Sequence, residues 1–84
     1  MTTTPPNGRA LALLRAIAAG RAELGAGSEP DLRVDGLLCS DQATAHGLTH
    51  AGLVRPARPV GPGEWVPAEL TPAGAQALGL DSAA

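Results

Sequence analysis

The chain has 84 residues, one aromatic side chain and a formal net charge of −2. A chain this short folds as one domain, buries only roughly 60–65% of the surface its unfolded form exposes, and is marginally stable on its own. Its lone thiol, Cys39, excludes an intrachain disulfide, no apolar run is long enough to cross a membrane, and the acid balance argues mildly against nucleic acid as a partner.

Residue usage is strongly biased. Lysine, phenylalanine and tyrosine are absent, while Ala, Gly, Pro and Arg dominate. This is the codon bias of a GC-rich bacterial genome, or of a phage or plasmid of such a host. Met1–Pro6 lacks the basic and apolar regions of a secretory leader, so the cytoplasm is the expected compartment.

In chain order, residues 1–7 read as a disordered tail ending in Asn7, a candidate helix cap. Gly8–Leu24 has helical spacing, with Ala10, Leu13, Leu14, Ile17 and Ala18 on one face; Gly20 weakens this helix or ends it early. After the loop Gly25-Ala26-Gly27, Ser28-Glu29-Pro30-Asp31 has the chemistry of a helix start, predicting a second helix through Leu32, Val34, Leu37 and Leu38 that Gly36 stops. Ser40 is the expected cap of a third helix running to Ala51, with Gly52 at its exit.

From Leu53 the period changes. Val54–Val60 holds two prolines and reads as a short edge strand. Gly61-Pro62-Gly63-Glu64 is a turn, and Trp65–Leu70 alternates with Val66, Ala68 and Leu70 on one side, which predicts a β-hairpin. Thr71-Pro72 then starts a short last helix anchored by Ala75, Leu78 and Leu80, and 81–84 is a tail. The expected fold is mainly α with one hairpin, in a single domain over 8–80.

Two segments carry a family resemblance. Leu48-Thr49-His50-Ala51-Gly52-Leu53-Val54 and Glu69-Leu70-Thr71-Pro72-Ala73-Gly74 resemble the helix-to-wing and wing-to-helix steps of winged helix-turn-helix transcriptional regulators of the MarR and ArsR type. The resemblance implies a three-helix core, a two-stranded wing and a short C-terminal helix. It also implies a homodimer on double-stranded DNA, with helix 40–51 in the major groove and the hairpin tip on the backbone. Carried over by position, the base-edge candidates are Gln42, Ala43, Thr44 and His46, with Gln42 suited to bidentate pairing with adenine. Arg55 and Arg58 are candidates to neutralise phosphates.

This segment departs from the family in charge. Gly47 stands where a basic residue often sits, Asp41 lies near the helix start, and Ser28–Val54 sets Glu29, Asp31, Asp35 and Asp41 against Arg33 alone. The alternative function is therefore a protein-interaction module, accessory or inhibitory, using an acidic face at Glu29 and Asp31 together with Trp65. Trp65 is expected either to cover the hairpin base against Leu53 or Pro56, or to anchor a partner. Cys39, His46 and His50 are too few for a metal centre and read as a buried thiol with two exposed imidazoles. No catalytic constellation appears, so no enzyme, cofactor or metal is expected, and self-association is expected to supplement the small core.

Overall fold

The computed structural model describes residues 8–79. The expected tails, the Asn7 cap and the Leu80 anchor lie outside them. Among the described residues, three helices and a five-stranded antiparallel sheet form in the order α1 (Gly8–Ala18), β1 (Ala22–Leu24), β2 (Leu32–Val34), β3 (Leu37–Leu38), α2 (Gln42–His50), β4 (Val54–Pro56), β5 (Val66–Leu70) and α3 (Pro72–Leu78). The sheet order is β3-β2-β1-β5-β4. This overturns the expected three-helix core with a two-stranded wing: the second helix is absent, and the β4–β5 hairpin is only one end of a larger sheet.

The first departure comes at Gly20. Its φ of 77° is left-handed. The amide of Gly20 donates to Ile17 and that of Arg21 to Ala16, each at 3.0 Å, which closes α1 in the glycine-terminated helix end. Residues 22–24, expected on the helix, instead form the central strand, with Ala22 and Leu24 buried and Glu23 between them.

The second departure is larger. Leu32 and Val34 are two apart, the spacing of a strand face, and Asp35-Gly36 follows at once. Asp35 has φ 53° and Gly36 φ 82°, the paired positive values that a two-residue hairpin turn of matching twist requires. The turn folds β3 back on β2, pairing Val34 with Leu37 and Arg33 with Leu38. A helix stop and a hairpin turn both use glycine at positive φ; the aspartate before it marks the hairpin.

Elsewhere the local reading holds. α2 spans 42–50 but is capped by Asp41, whose carboxylate accepts from the Thr44 amide, rather than by Ser40. It ends as expected at Gly52, φ 77°, with the Leu53 amide donating back to Leu48 at 3.0 Å. β4 pairs with β5, and Thr71 caps α3 with Pro72 in its first turn.

Ala22, Leu24, Leu32, Val54, Val66 and Ala68 are buried on one side of the sheet, and α1 and α2 contribute Ala10, Leu14, Ile17, Ala45 and Leu48 to the same core. Leu14, Leu24, Leu32 and Val66 are its largest fully buried side chains. By register, the opposite face carries Leu38, Arg33, Glu23, Pro67, Glu69 and Arg55. No helix among the described residues is long and apolar enough to cross a membrane.

Candidate functional site

Four of the six residues expected to meet DNA, Gln42, Thr44, His46 and Arg55, are engaged within the fold. The Gln42 amide turns toward the sheet. Its Oε1 accepts from the Leu32 amide at 2.9 Å, and its Nε2 donates to the carbonyls of Leu32 and Cys39, each at 2.8 Å. The bidentate pairing expected with adenine is made with the chain's own peptide group at Leu32. This clamp fastens α2 to β2 and to the exit of β3.

Thr44 faces the cap. Its hydroxyl donates to Asp41 at 2.6 Å and its amide to the same carboxylate at 3.1 Å. Asp41 also pairs with Arg9 of α1 at 3.2 Å. The Thr44 hydroxyl, then the Thr44 amide, then Arg9 hold the Asp41 carboxyl below the usual carboxylate range. His46 reaches the 25–31 loop, with Nε2 at 3.1 Å from Asp31 and Nδ1 at 3.8 Å from Glu29. The acidic pair expected to face a partner thus flanks a histidine of the same chain, although both carboxylates stay open to solvent. Ala43, Gly47 and His50 are the exposed residues of α2, so its open face is small-residued and carries no arginine.

Three more arginines are similarly occupied. Arg55 bonds Glu69, its cross-strand neighbour, at 2.7 Å. Arg33 bonds Glu23 at 2.7 Å, and Arg21 bonds Asp35 at 2.7 Å. The Arg21 hydrogen bond lowers the Asp35 carboxyl, and the same bond raises the Arg21 guanidinium. Arg58, exposed after β4, pairs with no carboxylate among the described residues. Of the six candidate DNA contacts, only Ala43 and Arg58 are exposed with no side-chain engagement elsewhere in the fold.

Trp65 stands over Gly25. A methyl placed on Gly25 would lie 3.6 Å from its ring, and the Arg33 guanidinium sits 4.4 Å from the ring centroid. The indole is half-buried and roofs the Gly25 loop, with its cation partner on the outer face of the sheet. Cys39 is half-buried, and no cluster of three or more metal-ligating side chains occurs among the described residues.

The open surface lies where the sequence suggested a helix. Among the described residues, Leu37 and Leu38 are the two large hydrophobic residues exposed, at 74% and 64%, and both belong to the outermost strand. Their adjacency puts them on opposite faces of the sheet. Leu38 extends the outer row of Arg33 and Glu23, while Leu37 lies on the helix side. Cys39, two residues on, lies on the helix side as well. It lines a shallow groove with Ala12 and Leu13 of α1 and with Arg9, Ser40 and Asp41. Leu11 of α1 is half-buried against the core. The signal for this edge was the Asp35-Gly36 turn between two apolar pairs.

No known protein-family model, curated protein or solved structure matches this chain.

Proposed function

We propose that this chain is a small protein-binding module whose contact surface is the β3 edge of its sheet. One observation carries the reading: two adjacent leucines, 74% and 64% exposed, stand on a strand edge that no other described strand pairs. An open edge presents backbone donors and acceptors to another chain, and protein sheets ordinarily blunt such edges with charge, proline or cover. β4, at the other edge, carries Arg55 and Pro56. β3 carries two leucines.

Nucleic acid is the less favoured partner. Specific readout needs free amides or guanidiniums on the presented helix, and binding energy comes from cations left to meet phosphates. Gln42 is committed to Leu32 and Arg55 to Glu69, and Asp41 heads the helix.

The test places a photo-crosslinking residue at position 38, with exposed Ala73 on α3 as the control site. The chain is irradiated both purified and in host lysate. Polypeptide adducts are expected from position 38, absent from 73, and lost on Leu37→Ser. In parallel, mixed-sequence duplex DNA is titrated at low salt, with no salt-dependent binding expected. Salt-dependent DNA binding without a polypeptide adduct would overturn the reading.

A further inference from the structure

We propose that the occupant of the β3 edge is the β3 edge of a second copy of this chain, paired antiparallel about a two-fold axis at Leu38. The inference rests on the protein-binding reading and adds the identity of the partner.

The backbone sets the axis. The Cys39 amide donates inward to the Leu32 carbonyl at 3.0 Å. Peptide groups alternate direction along a strand, so the N–H and C=O of Leu38 point away from the sheet. The available edge is short: the Asp35-Gly36 turn closes one end and α2 begins at Gln42. A long foreign strand would gain little ladder here. A second copy has the same short edge, and a two-fold at Leu38 lets both copies exchange these two groups as one hydrogen-bonded pair.

The side chains fit the same axis. Leu38 meets the partner's Leu38 on the outer face. One step away, Leu37 falls opposite the partner's Cys39 on the helix side. The exposed leucine is thereby aimed at the groove that Cys39 forms with Ala12 and Leu13, and the second copy does the same in return. One pairing covers both exposed leucines.

Charge agrees as well. The turn end of the edge holds the Arg21–Asp35 pair, and the α2 end holds Arg9–Asp41. Antiparallel pairing brings unlike ends together, and each end carries one cation and one anion. No single-sign repulsion opposes the approach, and arginines are placed to exchange carboxylates across the axis.

The experiment is sedimentation of the purified chain at micromolar concentrations, together with Leu38→Lys and Leu37→Cys. The native chain is expected to dimerise, and Leu38→Lys to weaken the dimer at least ~10-fold, or about 1.4 kcal/mol. Both leucines are exposed, so the variants should fold; circular dichroism checks this. In Leu37→Cys the new thiol lies beside the partner's Cys39, at the Cα separation of about 4.5 Å of a non-hydrogen-bonded pair, within disulfide reach. Mild oxidation should convert it to a covalent dimer far more completely than the native chain. A monomer at every concentration, or a dimer indifferent to Leu38→Lys, overturns the self-pairing. If the chain is monomeric but position 38 still crosslinks another polypeptide in lysate, the protein-binding reading survives and only the partner is wrong. If it is monomeric and no adduct forms, both fail.

Discussion

The backbone of Gly74, buried in α3, lies directly against the carbonyl of Leu53, the residue that leaves α2. A methyl at Gly74 would run into the Leu53 oxygen. The same carbonyl accepts from the Thr71 amide at 3.0 Å, while the Thr71 hydroxyl donates to Gly52 and accepts from the Gly74 amide. The two segments that stood out in the sequence, 48–54 and 69–74, are therefore the two halves of one joint.

Gly74→Ala sets two effects against each other. Helix propensity alone predicts a gain of up to ~1 kcal/mol. The clash is with backbone that Thr71 also holds, so it cannot be relieved by a side-chain rotation. Overpacking of this kind costs roughly 1–3 kcal/mol or more, and the net expectation is destabilisation. Urea unfolding of the variant should show a lower midpoint, whereas Ala73→Gly on the exposed side should cost only its propensity.

Gln42→Ala separates the two uses of this side chain. As a clamp, its loss strips the Leu32 amide and the Cys39 carbonyl of their partner and leaves the Leu32 carbonyl only the Cys39 amide, so stability should fall by roughly 1–3 kcal/mol. A base-reading glutamine, by contrast, would leave thermal unfolding unchanged and alter only DNA affinity. Gln42→Glu should also destabilise, because a carboxylate cannot donate to the two carbonyls. Calorimetry and a DNA titration on the same samples distinguish these outcomes.

The β2–β3 turn depends on Gly36. Alanine at its φ of 82° carries the left-handed penalty of roughly 1–2 kcal/mol, whereas Asp35→Asn keeps a residue suited to positive φ. Gly36→Ala should loosen β3 before the rest of the sheet. Faster hydrogen exchange confined to 32–39 is the expected signature, and uniform loss across the sheet would show that the hairpin is not a separable unit.

Acid should destabilise the fold through Asp35 and Asp41. Both carboxyls are lowered in the folded state, Asp35 by the Arg21 hydrogen bond and Asp41 first by the Thr44 hydroxyl. Groups lowered on folding contribute stability above their unfolded pKa of about 3.9, and that stability drains away as pH falls through the folded values. The unfolding midpoint should therefore hold near neutrality and drop below about pH 4. Asp41→Asn keeps a competent helix cap but removes the titration. Its midpoint should change less between pH 7 and pH 3 than that of the native chain, a contrast read from paired denaturation curves.

Local chemistry was legible where a residue acts on its immediate neighbours. The Gly52 exit, the Thr71-Pro72 start and the alternation of 66–70 each follow from φ preference, capping or period two, and the structure has all three. The negative balance of 28–54 was also legible, but not its pairing. Arg21 with Asp35, Arg55 with Glu69 and Arg9 with Asp41 meet only after the strands and helices assemble. Residues 28–38 resemble a helix because Ser-Glu-Pro-Asp has the composition of a helix start and four apolar residues are too few to fix a period. The Asp35-Gly36 pair was the decisive local signal, and the central strand β1 supplied the partner that let it fold as a hairpin. Gln42 shows the limit most clearly. On a helical wheel it faces outward, and only the arrival of β2 gives its amide a peptide to bind. Residues close in the chain were enough to decide the Gly52 exit, the Thr71 cap of α3, the 61–64 turn and an aliphatic core without aromatics, because each depends on immediate neighbours. Tertiary structure decided which polar groups remain free and that an edge bearing Leu37 and Leu38 stays open, because both depend on which strands come to lie side by side.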